Sequence, residues 1–131
     1  MNIEYKVNAP LATEQIVPVF ESSGIHRPTA DSARIRRMFD NANLVVSAWD
    51  NEILVGISRA LTDYSYCCYL SDLAVRKEYQ RMGIGRTLIR ITRERAGRPS
   101  MLLLLSAPEA MEYYPKLEFA RVGNGFILHR N

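Results

Sequence analysis

The chain has 131 residues, of which 47% are hydrophobic and 24% charged, with a formal net charge of +3. That length builds a core in a single domain, 1–131, without metal or disulfide staples. No run of eighteen apolar residues exists, which argues against a membrane span. Met1-Asn2-Ile3-Glu4-Tyr5-Lys6 lacks the basic-then-apolar pattern of a signal peptide, so the expected location is cytoplasmic. Cys67 and Cys68 are adjacent, and His26 and His129 lie far apart, so neither a disulfide nor a metal site is expected. Arginines gather between Arg76 and Arg98, which reads as a solvated helix face or an anion footprint.

In chain order, Ile3 to Val7 alternates as a short strand. Thr13 is placed to cap a helix towards Ser22, with Pro18 awkward inside it and Gly24 ending it. Asp31 caps a second helix with Ile35, Met38 and Phe39 on one face. Leu44 to Trp49, Ile53 to Leu61 and Tyr66 to Val75 form an antiparallel meander, turning at Asp50-Asn51 and at Asp63-Tyr64-Ser65. A helix follows from about Gly83 to Ala96, with Ile84, Leu88, Ile91 and Arg95 sharing a face. Met101 to Leu105 reads as a strand buried on both faces and parallel to the one ending at Val75. A last helix is expected from Ala107 to about Leu117, then strands at Phe119 to Val122 and Phe126 to Arg130 around Gly123-Asn124-Gly125. The fold class is therefore α+β, a single mixed, mostly antiparallel twisted sheet with helices on its faces.

The junction after Val75 carries the chemistry. Two glycines, Gly83 and Gly85, sit where a strand hands over to a helix, and helix N-terminal amides favour phosphate. A dinucleotide fingerprint fails because Leu88 stands at its sixth position. A P-loop fails because Arg86-Thr87 follows Gly85 and Gln80 replaces its first glycine. Gln80-Arg81-Met82-Gly83-Ile84-Gly85 instead resembles the acyl-CoA-binding motif of the GNAT superfamily of N-acyltransferases. Ala110 to Phe119, with Tyr113-Tyr114 before Lys116-Leu117-Glu118-Phe119, looks like that family's C-terminal helix motif. The element order is similar too, so the likeness covers nearly the whole chain. That likeness is strongest from Leu44 to Phe119, a range that is also weakly similar to bacterial and plant acetyltransferases of aromatic amines. Two departures stand out. Glu118 replaces the usual glycine, and Ser106-Ala107-Pro108 replaces an asparagine often found after the preceding strand.

The resemblance implies a GNAT fold splayed between its fourth and fifth strands, and transfer of acetyl from acetyl-CoA to a primary amine by direct attack in a ternary complex. It implies no metal. Amides from Arg81 to Arg86 would cradle the pyrophosphate, with Lys77, Arg81 or Arg86 adding charge. Leu73, Ala74 and Val75 would carry the pantetheine arm and an amide donor for the thioester oxygen. Tyr114 would donate to the departing sulfur, with Tyr113 its rival. Asp72 is the first candidate for the base, or else a carboxylate holding a strand bulge. Glu109, Glu112 and Asp63 are weaker candidates for the base. Trp49, Tyr64, Tyr66 and Tyr69 either line an acceptor pocket or cover the sheet. The expected partner is a small-molecule amine, with no nucleic acid or membrane, and a homodimer is left open. A protein N-terminus or lysine as acceptor, or a non-catalytic acyl-CoA-binding module, are the alternatives.

Overall fold

The computed structural model describes residues 2–131. Five strands lie in sequence order in one sheet: β1 (Ile3–Val7), β2 (Leu44–Asp50), β3 (Ile53–Thr62), β4 (Cys67–Val75) and β5 (Met101–Leu104). The first four pair antiparallel, and β5 pairs parallel with β4 as the sequence predicts. Between them lie α1 (Thr13–Ser23), α2 (Ser32–Asp40) and α3 (Ile84–Ala96).

Successive residues of a strand face opposite sides, and both sides of the central strands are covered. Val45, Trp49, Leu54 and Ile57 pack under Ile16, Val19 and Phe20 of α1 and Ile35 and Phe39 of α2. Val46, Ala48 and Val55 pack on the other side, under Ile84 and Leu88 of α3. This is why β2 is buried along almost its whole length. The buried stripe of α3 is Ile84, Leu88, Ile89, Thr92 and Ala96, turned slightly from the expected one. Thr92 joins it because its hydroxyl bonds Ser58 of β3 at 2.7 Å and the Leu88 carbonyl at 2.7 Å.

Pro18 does not break α1, which runs on to Ser23 and stops at Gly24 with φ +88°. Its start is held by the Gln15 side chain, which accepts from the Ala12 N–H at 3.0 Å. Asp31 caps α2 as expected, accepting from the Arg34 N–H at 3.1 Å.

Three expectations fail near the end of the chain. The helix expected over 107–117 is two short 3₁₀ segments, Pro108–Ala110 and Tyr114–Leu117. Pro115 has no N–H to return to Met111, and its ring crowds that carbonyl, so the continuous α-ladder is lost. β5 is not buried on both faces: Met101 and Leu105 are exposed, because β5 is the edge of the sheet. Phe119 to Val122 and Phe126 to Arg130 form no strands, since among the described residues no ladder partner pairs with them.

Glu118 occupies a left-handed conformation at φ +71° and ψ +18°, the geometry a glycine takes without strain. The turn has thus kept its path and accepted a side chain there. The substitution Glu118→Gly is expected to raise stability by about 1 kcal/mol, the cost of holding an L-residue in that region less the extra chain entropy of glycine. The midpoint of urea unfolding measures it.

Candidate active site

The site begins where β4 and β5 part. Parallel pairing runs from Cys67↔Met101 to Leu70↔Leu104 and stops, while β4 continues to Val75. From Ser71 onward β4 has β3 on one side and an open cleft on the other. The Arg76 N–H donates to the Val55 carbonyl of β3 at 2.8 Å. Alternate residues of an antiparallel strand turn their peptide groups to the same neighbour. Ala74 therefore faces β3, and Leu73 and Val75 turn theirs into the cleft. The Val75 carbonyl accepts from the Gln80 side chain at 2.9 Å, so Gln80 ties the following loop to the end of the strand.

Past Gln80, whose own N–H donates to the Lys77 carbonyl, the backbone winds through two left-handed residues. These are Arg81 at φ +67° and Gly83 at φ +83°, and α3 then starts at Ile84. Such alternation turns successive N–H groups toward one concavity suited to an anion. Among the described residues, no backbone amide from Arg81 to Arg86 donates to a protein acceptor. The α3 dipole adds positive potential at the same place, and Lys77, Arg81 and Arg86 stand exposed around it. Gly85 lies at its inner wall. A β-carbon there would come within 2.9 Å of the Tyr113 hydroxyl, with Leu73 behind it.

Tyr113 and Tyr114 stack edge to face at 5.2 Å, and Tyr114 meets Phe119 at 5.5 Å. Their hydroxyls have different neighbours. Tyr113 points to the start of α3, where burial raises its phenol and Arg86 opposes the rise. Burial raises the Tyr114 phenol as well, Tyr113 adds to that, and Arg27 opposes it. A raised phenol keeps its proton through neutral pH and so remains a donor.

Asp72 is 1% exposed. One carboxylate oxygen accepts from Arg27 Nε and the other from Arg59 Nε. The same two guanidinium groups reach Ser71: Arg27 donates to its carbonyl at 2.8 Å and Arg59 to its hydroxyl at 3.0 Å. Ser71 is the extra residue of a β-bulge, because Arg59 pairs with Asp72 and Ala60 pairs with Leu70. Of the two roles the sequence leaves open, the geometry is that of a carboxylate pinning a bulge. Arg27 and Arg59 are absent from the sequence reading. A lone arginine amid the apolar run of β3 was the available signal for Arg59. Arg27 comes from the loop after α1 and gave none.

The other candidates do not gather here. Trp49 is core, bonded through its indole N–H to Ser47 at 2.8 Å. Asp63 and Tyr64 occupy the β3–β4 turn, at the opposite end of β4 from Val75. Asp63 accepts from the amides of Ser65, Tyr66 and Cys67, and these bonds lower its carboxyl to about 2. Glu109 is exposed on the first 3₁₀ segment and Glu112 is exposed in the turn between the two. Among the described residues no cluster of three or more histidine, cysteine or carboxylate side chains could hold a metal, and no helix is long and apolar enough to cross a membrane.

A strand fork, an amide concavity closing onto a helix, and a tyrosine pair beside both occur together here. The family model described as an acetyltransferase (GNAT) domain matches residues 9–128. The chain belongs to the GNAT acetyltransferase family. A curated relative, the uncharacterised N-acetyltransferase ycf52 of Pyropia yezoensis, is 24% identical over 98 residues, which are 70% of this chain and 56% of the relative. The chain thus spans little more than half the length of that relative. A provisionally named acetyltransferase from Deinococcus radiodurans superposes with a TM-score of 0.81 at 23% identity, covering 98% of this chain and 88% of that one. A GNAT family protein from Streptococcus pneumoniae gives 0.78 at 18% identity, covering 98% and 100%. AAC(6')-Iy, in complex with a CoA-S-monomethyl-acetylneamine bisubstrate analogue, gives 0.72 at 12% identity, covering 100% and 99%. These likenesses establish that the fold is that of the GNAT proteins.

Removing one partner of a buried ionic cluster leaves the others uncompensated. Asp72→Ala is therefore expected to lower the stability of the fold by about 3 kcal/mol, read by urea denaturation.

Proposed function

We propose that this GNAT domain transfers an acetyl group from acetyl-CoA to the neutral nitrogen of a small-molecule primary amine. The observation that carries the reading is the run of unengaged amides from Arg81 to Arg86, set at the open edge of β4. A diphosphate fits the first and an extended amide-bearing arm fits the second. Acetyl-CoA supplies, when bound, an activated acyl carbon and a thiolate as leaving group.

The residues divide the work as follows. The Arg81–Arg86 amides, with Met82, Gly83, Ile84 and Gly85 among them, hold the diphosphate, and Arg81 and Arg86 add charge-assisted contacts. Gln80 holds the loop to Val75. Peptide groups of Leu73 and Val75 pair with the arm, and a cleft-facing N–H donates to the carbonyl oxygen as negative charge grows there. Ala74 is buried and fixes the strand on β3. The amine nitrogen forms its bond to the acyl carbon as the carbon–sulfur bond breaks. The Tyr114 hydroxyl gives its proton to the sulfur, and the proton released by nitrogen passes through water and restores that hydroxyl.

Asp72 serves as an anchor in this reading. Its carboxylate is buried and each oxygen accepts from a guanidinium group, so the reading gives it a structural ion pair instead of a proton to move. The AAC(6')-Iy complex supports an amine acceptor, since its ligand joins CoA to an acetylated amine.

Three measurements test the reading. Coenzyme A at a hundred times its Kd is expected to raise Tm by roughly 10 °C through mass action. No shift would overturn cofactor binding. Tyr114→Phe is expected to keep that shift while lowering kcat on a responsive amine about 100-fold or more. Assayed below its own Tm, Asp72→Asn is expected to keep the acidic limb of the pH–rate profile. Loss of that limb would return the base to Asp72.

A further inference from the structure

The exposed stretch of the amide loop is slung between two side chains that share one patch of core. Ile84, the first residue of α3, is buried with Val46, Ala48 and Val55, and the Tyr79 ring packs against the same cluster. Between them run Gln80, Arg81, Met82 and Gly83, all exposed. Burial alone seats Ile84. Tyr79 is held in a second way: it closes a 3₁₀ turn, Lys77–Tyr79, and its hydroxyl donates to Asp50 Oδ2 at the end of β2 at 2.6 Å. That hydrogen bond is the main cause of a raised Tyr79 phenol. Burial and the Asp50 and Glu78 charges add to the rise and Arg76 opposes it, so the donor keeps its proton through neutral pH.

We infer that Tyr79 and Asp50 are positioning residues for the cofactor, and that their hydrogen bond holds the Arg81–Arg86 amides in the arrangement that receives the diphosphate before it arrives. The inference rests on the acetyl-CoA reading above. The other ties to this turn hold its beginning. The Arg76 N–H and Nε donate to the Val55 and Leu54 carbonyls, each at 2.8 Å, and the Lys77 N–H donates to Ser22 Oγ of α1 at 2.9 Å. Tyr79 stands at the end of the turn, next to Gln80, and reaches across to the β2–β3 hairpin. Gln80 itself returns only to the Lys77 and Val75 carbonyls, within the segment it belongs to. The hydroxyl points at Asp50 and not at the amide concavity, so the pair acts through the loop. A loop ordered in advance spares the ligand the entropy of ordering it. Loss of the bond therefore weakens cofactor affinity and leaves the bond-making step alone.

The test is calorimetric titration of coenzyme A, with each variant held well below its own Tm. Tyr79→Phe keeps the ring and is expected to weaken coenzyme A about 10-fold. The KM for acetyl-CoA is expected to rise in step, with kcat on a responsive amine within about twofold of the parent. Asp50→Ala is expected to match it, and the double variant to be no weaker than either, since all three lose the same bond. Asp50→Asn retains an acceptor oxygen and is expected to recover most of the affinity. Without ligand, amides 80–86 are expected to exchange faster in Tyr79→Phe while those of the β2–β3 ladder keep their protection. Parent-like affinity in Tyr79→Phe, multiplied losses in the double variant, or a fall in kcat in place of a rise in KM would each overturn the inference alone. A parent chain that takes up no coenzyme A would overturn the acetyl-CoA reading and this inference with it.

Discussion

Everything in the site depends on a carboxylate that cannot be left alone. Asp72 is buried inside the sheet, and a buried charge persists only when paired and hydrogen-bonded. Arg59 reaches it from the neighbouring strand and Arg27 from the loop after α1, and both extend to Ser71. Three distant parts of the chain are thereby fixed around one bulge. The bulge follows directly on the last paired residue of the parallel ladder, Leu70. It re-aims the remainder of β4, so that its outer peptide groups face an open cleft instead of another strand. The charge cluster is best understood as the hinge pin of the cleft.

The amide concavity is built by different means and in one short stretch. Gln80 ties the loop back to Val75, Arg81 and Gly83 reverse the backbone, and Ile84 drops into the core to start α3. The left-handed conformation at Arg81 is unusual for a non-glycine residue. It puts a cation at the rim while its neighbours supply only N–H groups. The cleft and the concavity meet at Gly85, where the absence of a side chain leaves room for Tyr113.

What the sequence discloses and what it hides divide by range. The Gln80 to Gly85 motif, the meander and its turns, the α2 cap and the parallel β5 are written in neighbouring residues, so periodicity and resemblance find them. The failure over 107–117 lies in one residue, Pro115, whose missing N–H outweighs the helical tendency around it. The strand pattern after Phe119 is real as a pattern, but a strand needs a ladder, and the one chain offers none there. Asp72 could be read two ways because one of its partners, Arg27, stands 45 positions away. Arg59 was legible in principle, being the charge directly across the ladder from Asp72.

The short parallel ladder has a kinetic corollary. β2, β3 and β4 meet through tight turns, whereas β5 must wait for a crossover through all of α3 before its four residues find β4. Contacts of low sequence separation form early and long loops close late. The cleft is therefore a late feature of folding. Amide protons of β5 are expected to exchange through partial openings that leave the β2–β3 ladder protected. In this protein the seam that bounds the cleft is thus a weak one in the native state.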